Sequence, residues 1–420
     1  MNHTIHTKYL IVGAGISGLS CAAQLAGEDY CILEKEQEVG GYCRTFHQSG
    51  FTWDFAGHFF HFRDSEIEAE FADLLHADDS VENRKNTKIY YKDRYIDYPF
   101  QYNIHQLEKD EFIDCLVGLY QNSSEEAQNF KEMILQKYGS GIADKFLIPY
   151  NSKLYACDLN MLDMNAMGRF FPYANPEEII RGFRQKRPET YNDTFFYSKR
   201  GAEAFVHKIA ELVEAERILC HTELLKVDSA QKVAYTTGGS IHYEYLISTI
   251  PFDCLLDITQ TCHSRKYSSN QVLVFNMGFD KPAQDRSLHW VYYPQKDISF
   301  YRVGFYSNIL HEDRLSIYVE LGFPSAVEVD VDFWQTRVLD DLRRVGILSN
   351  HRLIAQNALL MNPAYVHICG DSEEEKEKLK EQLEKQQIYV TGRYGDWKYC
   401  SIEDCIIQAR DMVKKITLRK

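Results

Sequence analysis

Three glycines and one carboxylate near the start of the chain have the residue types and the spacing that bind a dinucleotide. Gly13, Gly15 and Gly18 form a Gly-x-Gly-x-x-Gly turn, and Glu34 ends the next apolar run about twenty residues later. Such a turn lets backbone N–H groups at a helix N-terminus approach a pyrophosphate, and the acid reaches a ribose hydroxyl. The spacing therefore predicts a dinucleotide site rather than a metal or nucleic-acid site.

These four residues can act together only if a strand, a tight turn, a helix and a second strand hold them in that order. The apolar runs at residues 8–12 and 30–33 have strand character. Gly13 permits the tight turn, and Gly18 lets the helix pack closely on the strand. Strand-like runs return near residues 217–250 and 387–392, so the nucleotide domain is predicted to be discontinuous.

Two other kinds of segment interrupt the nucleotide-binding pattern. A helical pattern broken by prolines covers the middle of the chain, and aromatic and β-branched residues alternate on either side of it. We therefore predict a mixed α/β fold with three parts. They are a discontinuous Rossmann-like dinucleotide-binding domain of residues 1–80, 192–260 and 386–420, a helical insertion domain of residues 104–191, and an antiparallel β-sheet substrate domain of residues 81–103 and 261–385.

The composition narrows the class of partner. A formal net charge of −14 over 420 residues provides no basic field for nucleic acid or anionic lipid. The uncharged run at residues 9–27 is broken by four glycines, so no membrane insertion is expected. Eleven scattered cysteines without a Cys-x-x-Cys pair predict reduced thiols, a cytoplasmic protein and no metal. The sequence leaves the oligomeric state open.

A second set of glycines narrows the dinucleotide to FAD. Gly40-Gly41-Tyr-Cys-Arg44 follows the acid of the first motif, and Gly57-His58 closes the next predicted pair of strands. A second glycine pair with a nearby arginine resembles the FAD-binding amine oxidase-like flavoproteins. In that setting Gly57 and His58 are expected under the isoalloxazine ring, where only backbone fits.

Five dispersed segments resemble the UDP-galactopyranose mutases, the eukaryotic type more than the bacterial. They lie at residues 98–104, 139–156, 290–294, 300–302 and 392–399, and include Tyr98-Pro-Phe-Gln101 and Gly392-Arg393-Tyr. The resemblance implies a flavin-dependent pyranose–furanose mutase that acts on a nucleotide sugar, with UDP-galactopyranose and UDP-galactofuranose as the default pair. It also implies that N(5) of reduced FAD acts as the nucleophile at the anomeric carbon, with no net redox change. Since the chain has no second Gly-x-Gly-x-x-Gly, NADPH or NADH is expected only as a transient reductant.

The resemblance also implies roles for individual residues. The catalytic positions are His58, Arg302 and Arg393. The FAD-contacting positions are Gly13, Gly15, Ser17, Gly18, Glu34, Lys35, Gly41, Tyr42, Arg44, Gly57, His58, Leu224, Gly392, Arg393, Ser401 and Ile402. The substrate-contacting positions are Tyr98, Gln101, Phe146, Asn151, Tyr155, Arg169, Asn192, Trp290, Tyr292, Arg302, Tyr365 and Tyr399. A guanidinium binds phosphate bidentately, so Arg302 is expected on the diphosphate and Arg393 near the flavin.

Three positions depart from the pattern of that family. An ungapped alignment places Phe170 where the family has its second diphosphate arginine, and Arg169 fits there only with a one-residue gap. Tyr155 replaces a tryptophan and Ile309 replaces a tyrosine. Two other functions therefore stay open: an FAD-dependent oxidoreductase of the protoporphyrinogen oxidase or amine oxidase type, and a flavoprotein that binds a nucleotide sugar without catalysis.

Overall fold

The computed structural model describes residues 4–77, 79–121, 126–184, 193–263, 267–370 and 372–418. Its strands are β1 (Thr4–Val12), β2 (Tyr30–Leu33), β3 (Thr45–Gln48), β4 (Phe51–Asp54), β5 (Ser80–Arg84), β6 (Thr87–Tyr91), β7 (Arg94–Asp97), β8 (Thr194–Ser198), β9 (Ile218–Leu219), β10 (Leu224–Asp228), β11 (Val233–Thr236), β12 (Gly239–Ser248), β13 (Asn270–Phe279), β14 (Trp290–Tyr292), β15 (Arg302–Phe305), β16 (Ser316–Pro324), β17 (Leu353–Met361) and β18 (Ile388–Val390). Its α-helices are α1 (Ile16–Gln24), α2 (Ser65–Glu70), α3 (Ala72–Leu75), α4 (Lys109–Tyr120), α5 (Phe130–Ile142), α6 (Ile148–Tyr155), α7 (Pro176–Gly182), α8 (Glu203–Ala210), α9 (Phe252–Ile258), α10 (Tyr306–Ile309), α11 (Val331–Arg344), α12 (Ser372–Lys385), α13 (Gly392–Gly395) and α14 (Ile402–Thr417).

The first sheet is parallel at its centre and is built from distant parts of the chain. Strand β1 pairs in parallel with β2 and β12, β9 follows β2, and β18 pairs in parallel with the end of β12. Strands β11 and β10 extend the sheet as an antiparallel edge. The end of β1 is fully apolar and buried because helices cover both faces of such a sheet. The structure thus confirms the predicted discontinuous Rossmann-like fold.

The second sheet has the strand order β17-β13-β16-β15-β14-β6-β7. Its neighbouring strands are antiparallel, as predicted, except that β14 and β6 are parallel. Strands β6 and β14 are separated by about 200 residues of chain, so no hairpin turn constrains their relative direction.

The helices of the middle segment pack closely because two glycines lack a side chain. A Cβ on Gly139, where α5 bends at a φ of +67°, would lie 2.1 Å from the carbonyl oxygen of Gly118 in α4. Residues 143–147 form a π-helical turn that leads directly into α6. Helix α6 packs on β16, where a Cβ on Gly322 would lie 2.2 Å from the carbonyl oxygen of Lys153. The sequence segment with the helical pattern therefore lies against the second sheet.

Helix α12 packs on the parallel sheet rather than on the second sheet. Leu379 and Leu383 belong to one buried cluster with Leu10 of β1 and Ile388 of β18. Strand β5 also pairs with β8, which joins chain segments on either side of the helical region. The domain boundaries expected from the sequence remain a prediction. The contacts of α12 with the parallel sheet and of β5 with β8 are observations that any choice of boundaries has to accommodate.

Candidate functional site

The glycine turn forms a cradle with no side chains on its inner surface. Gly15 is the N-cap of α1, and a Cβ on Gly41 would lie only 3.5 Å from the Cα of Gly15. Gly13 has a φ of +97°, and a Cβ on Gly18 would lie 1.8 Å from the carbonyl oxygen of Gly13. The first-turn N–H groups of α1, which include that of Ser17, therefore face a space bounded by backbone, as a pyrophosphate requires.

Glu34 lies beside this cradle at the end of β2. Its buried carboxylate accepts hydrogen bonds from the backbone N–H groups of Ala14, at 2.8 Å, and Glu36, at 2.9 Å. Lys35 is exposed and Leu224 is buried at the start of β10. The parallel strands thus bring the acid of the predicted motif to the turn, although the two are distant in the sequence.

The second glycine pair holds an arginine and a tyrosine next to the cradle. Gly40 and Gly41 both have positive φ angles, of +111° and +57°. Arg44 donates from Nε to the carbonyl oxygen of Gly41 at 2.9 Å, and its guanidinium lies over the ring of Phe55. The Tyr42 hydroxyl accepts from the backbone N–H of Asn362 at 3.1 Å. This segment therefore forms the second wall of the cradle.

Gly57 and His58 follow β4 and enter the interior between the two sheets. A Cβ on Gly57 would lie 2.4 Å from the Tyr318 hydroxyl oxygen, so no larger residue fits without movement. Burial, together with the nearby charge of Arg393, lowers the pKa of His58 to about 4. The imidazole of His58 is therefore neutral at physiological pH, and it can serve as one donor and one acceptor.

Asp54, which the sequence analysis missed, fixes the start of this segment. Its carboxylate accepts from the Ala202 N–H at 2.9 Å, the Thr45 hydroxyl at 2.7 Å and the Tyr197 hydroxyl at 2.8 Å. Burial raises the pKa of Asp54 to about 7, although these hydrogen bonds act in the opposite direction. Asp54 thus ties β4 to the turn before α8. The only sequence signal for it was an acid three residues before Gly57.

Arg393 reaches the same interior from the carboxyl end of β18. Gly392 has a φ of +84°, and a Cβ there would lie 2.2 Å from the Ser17 hydroxyl oxygen. The guanidinium of Arg393 donates to the Cys400 carbonyl oxygen at 3.3 Å and lies 4.7 Å from the ring centre of Tyr399. Its Nε is buried without a protein hydrogen-bond partner. This buried donor is suited to a ligand oxygen.

A cavity of about 280 Å³ lies between the helical segment, the second sheet and the start of α14. Ten of the predicted site residues line it: Tyr98, Phe146, Asn151, Trp290, Tyr292, Arg302, Tyr365, Tyr399, Ser401 and Ile402. The other lining residues are Phe59, Phe60, His61, Phe62, Lys85, Leu147, Tyr150, Leu154, Met167, Phe170, Phe171, Pro172, Glu403 and Ile406. The cavity is thus aromatic with few charged groups.

Arg302 is held in this cavity by a carboxylate that the sequence analysis missed. Its Nε and Nη2 donate to the two carboxylate oxygens of Glu320, at 2.5 and 2.7 Å. The side chain of Glu320 is 1% exposed, whereas that of Arg302 is 21% exposed. The remaining guanidinium donors of Arg302 therefore stay available on the side that faces the cavity.

Stacked and edge-on rings form the walls. Tyr292 lies 5.2 Å from Tyr98 and 5.0 Å from Tyr150, measured between ring centres, and its hydroxyl accepts from Trp290 Nε1 at 3.1 Å. On the other side Tyr365 stacks on Tyr399, with ring centres 5.8 Å apart. Flat rings with hydroxyl groups suit both stacking on a base and hydrogen bonding to polar groups.

Of the remaining predicted residues, some line the cavity and others are buried behind its wall. Phe146 stacks on Tyr150, and Asn151 donates to the Leu147 carbonyl oxygen while its own side-chain oxygen is buried without a partner. Gln101 is fully buried behind the wall, where it donates to the Pro172 carbonyl oxygen. The prediction for Asn192 falls outside the described residues.

Tyr155 and Arg169 do not line the cavity. Tyr155 is 1% exposed and packs behind Tyr365, with ring centres 6.1 Å apart. Arg169 pairs with Asp404 in the first turn of α14 at 2.6 Å and also contacts the N-cap Ser401. The neighbouring residue, Phe170, lines the cavity instead.

The profile of flavin-containing amine oxidoreductases matches residues 16–416, which is most of the chain. The chain belongs to this family. A reduced UDP-galactopyranose mutase has the same fold, with a TM-score of 0.91 and 24% identity over 99% of this chain and 94% of that one. A provisionally named protoporphyrinogen oxidase from Exiguobacterium sp. 255-15 gives a TM-score of 0.79 and 18% identity, over 99% of both chains.

Curated relatives match this chain over short segments. A zeta-carotene-forming phytoene desaturase from Myxococcus xanthus is 47% identical over 49 residues, which are 11% of this chain. That match spans 10% of the length of the desaturase. The predicted flavoprotein family is confirmed, whereas these short matches say nothing about the substrate.

Two further findings concern the described residues. No helix there is long and apolar enough to cross a membrane. No group of histidine, cysteine and acidic residues in the same part of the chain could hold a metal ion.

Proposed function

We propose that this flavoprotein is an FAD-dependent pyranose–furanose mutase that acts on a nucleotide sugar, with UDP-galactopyranose as the default substrate. The observation that carries the proposal is the position of Arg302, held bidentately by Glu320 in a wall of tyrosines. An oxidase of small amines needs no such diphosphate-binding group. The fold shared with a UDP-galactopyranose mutase along nearly the whole chain supports it.

The residues around the cradle fit FAD as the cofactor. Gly13, Gly15, Ser17, Gly18 and Gly41 would contact its pyrophosphate, because the two glycine loops meet backbone to backbone beside the N-terminus of α1. The other positions proposed to hold FAD are Glu34, Lys35, Tyr42, Arg44, Gly57, His58, Leu224, Gly392, Arg393, Ser401 and Ile402. When bound in its reduced form, FAD would supply the nucleophilic N(5) and leave the reaction redox-neutral. NADPH or NADH as a transient reductant is part of this proposal.

The protein's own part is to bind and orient the nucleotide sugar. Arg302 would hold the diphosphate and stabilise the charge that develops on it as the glycosidic bond breaks. Tyr98, Tyr292, Tyr365 and Tyr399 would donate to phosphate or sugar oxygens from the walls. Phe146, Asn151 and Trp290 would contact the nucleoside or the sugar, with Gln101 and Tyr155 behind them. Asn192 is proposed as a further contact from the sequence alone.

This chain differs from the mutase pattern at the second cationic side chain that would bind the diphosphate. Arg169 already pairs with Asp404, and the residue on the wall is Phe170. Among the described residues that line the cavity, the cationic side chains are those of Arg302 and Lys85. Because Lys85 lines the cavity, we propose it as the second phosphate contact, with Arg169 as the alternative from the sequence.

The test is to reduce the purified FAD-loaded protein with dithionite, add UDP-galactopyranose and separate the ring isomers by chromatography. We expect furanose product only with reduced flavin. Equal turnover with oxidised flavin would refute the mutase. Oxygen consumption with formation of an oxidised product would favour the oxidoreductase alternative, which the similarity to the protoporphyrinogen oxidase supports.

Binding of uridine diphosphate without either reaction would identify the third alternative, a flavoprotein that binds a nucleotide sugar without catalysis. The replacement of the family's second arginine by Phe170 is the observation that favours it.

A further inference from the structure

Two cysteines lie side by side at the start of α14, and none of the roles proposed above uses them. Cys400 precedes the N-cap residue Ser401, and Cys405 lies in the first turn of the helix. Their Sγ atoms are 3.6 Å apart, and both residues are buried. Since an S–S bond is about 2.05 Å long, the sulfurs need to approach by about 1.5 Å to form one.

The two thiols differ in acidity in the way that a nucleophile and its partner do. The pKa of Cys405 is lowered by a hydrogen bond from Cys400, by the Ser17 hydroxyl and by the charge of Arg393, against the effect of burial. The pKa of Cys400 is raised by the same hydrogen bond and by burial. By contrast, burial raises the pKa of Cys21 to about 12. The thiolate is the reactive form, so Cys405 is the more reactive thiol.

We propose that Cys400 and Cys405 are a redox-active pair that hydrogen peroxide converts into a disulfide. The Cys405 thiolate attacks a peroxide oxygen, the O–O bond breaks, and water leaves with a proton from the solvent. The resulting sulfenic acid is attacked by the Cys400 sulfur, which loses its proton as a second water leaves. Two thiols and one hydrogen peroxide thus give one disulfide and two water molecules.

Closure of this pair would change the wall of the cavity. The Cys400 carbonyl oxygen accepts from Arg393 Nη1 at 3.3 Å, and the preceding residue, Tyr399, stacks on Tyr365. Drawing Cys400 towards α14 moves the backbone that positions both contacts. Formation of the disulfide does not depend on the proposed function, whereas an effect on nucleotide affinity rests on that function.

In the experiment, the FAD-loaded protein with its thiols reduced is treated with equimolar hydrogen peroxide. Free thiols are then alkylated, and the protein is digested with trypsin and examined by mass spectrometry. We expect the peptide 399–410, which contains both cysteines, to carry no alkyl group after oxidation. In Cys400→Ser, dimedone should label Cys405 as a sulfenic acid. Cys21→Ser is the matched control, and it should leave formation of the disulfide unchanged.

Alkylation of both cysteines after oxidation would overturn the proposal, as would a disulfide between Cys405 and Cys43. Affinity for uridine diphosphate is then compared in the reduced and oxidised protein, with an expected loss of about fivefold that Cys405→Ser abolishes. A disulfide with unchanged affinity would refute the coupling to the cavity. A disulfide in a protein that binds no uridine diphosphate in either state would refute the proposed function and leave the redox pair standing.

Discussion

Arg302 of β15 and Glu320 of β16 are direct cross-strand partners, and their side chains form a bidentate ion pair. The carboxylate is almost completely buried, whereas the guanidinium lies at the edge of the cavity. Glu320 thus fixes the plane of the arginine and leaves part of its donor set for a ligand. The pair links the packing of the second sheet directly to the proposed phosphate site.

Replacing Arg302 by alanine should weaken binding of uridine diphosphate by about 10- to 100-fold, since a charge-assisted bidentate contact is lost. Isothermal titration of the FAD-loaded protein measures this. FAD content should be unchanged. The matched control is Arg286→Ala, which removes a surface arginine that pairs with Asp313 and should alter neither quantity. Loss of FAD from Arg302→Ala would show that the arginine serves the cofactor instead.

Lys85 and Arg169 offer a direct comparison of two cations. Lys85→Ala should weaken binding of uridine diphosphate by about tenfold, because Lys85 lines the cavity. Arg169→Ala should change that affinity by about twofold or less, because Arg169 pairs with Asp404. The same titration measures both variants. The reverse order of effects would assign the second phosphate contact to Arg169.

Gly57 should not accept even one methyl group. In Gly57→Ala the new Cβ would meet the Tyr318 hydroxyl oxygen at 2.4 Å, so we expect a loss of about 1–3 kcal/mol in the free energy of unfolding. Urea denaturation measures it. Gly370→Ala is the matched control, because a Cβ at that position meets nothing within 4 Å. Equal stability of the two variants would contradict the close approach of Tyr318.

Acid should destabilise the protein through His289. Burial and the neighbouring His311 lower the pKa of His289 to about 4, and its Nδ1 accepts from the Asn86 N–H. The folded state therefore binds fewer protons than the unfolded state between about pH 4 and 6.5, so stability falls as the pH drops through this range. His289→Asn, which keeps an acceptor, should reduce the slope of unfolding free energy against pH.

The measurement for His289 is denaturant unfolding at several pH values between about 4.5 and 7. Over most of this range the histidine binds a proton in the unfolded state but not in the folded state. His207→Asn serves as the matched surface substitution. An unchanged slope in His289→Asn would show that other buried groups, such as His61, carry the acid sensitivity.

Local sequence patterns predicted those parts of the structure that depend on neighbouring residues. The turn at Gly13 to Gly18 has the predicted position, and β18 lies within the strand-like run near residues 387–392. A tight turn needs glycine whatever surrounds it, and a short apolar run suits a buried strand of a parallel sheet. Prediction was weaker for β9, where the expected strand beginning at Arg217 reduces to Ile218–Leu219.

The sequence by itself determined the discontinuous nucleotide fold, the flavoprotein family and ten of the 24 residues that line the cavity. Only the tertiary structure decided that Glu320 holds Arg302, and that Phe170 lines the cavity while Arg169 pairs with Asp404. The physical reason is distance along the chain. Which carboxylate neutralises a given arginine depends on strand register and helix packing, and these contacts form between segments whose local sequences carry no signal of each other.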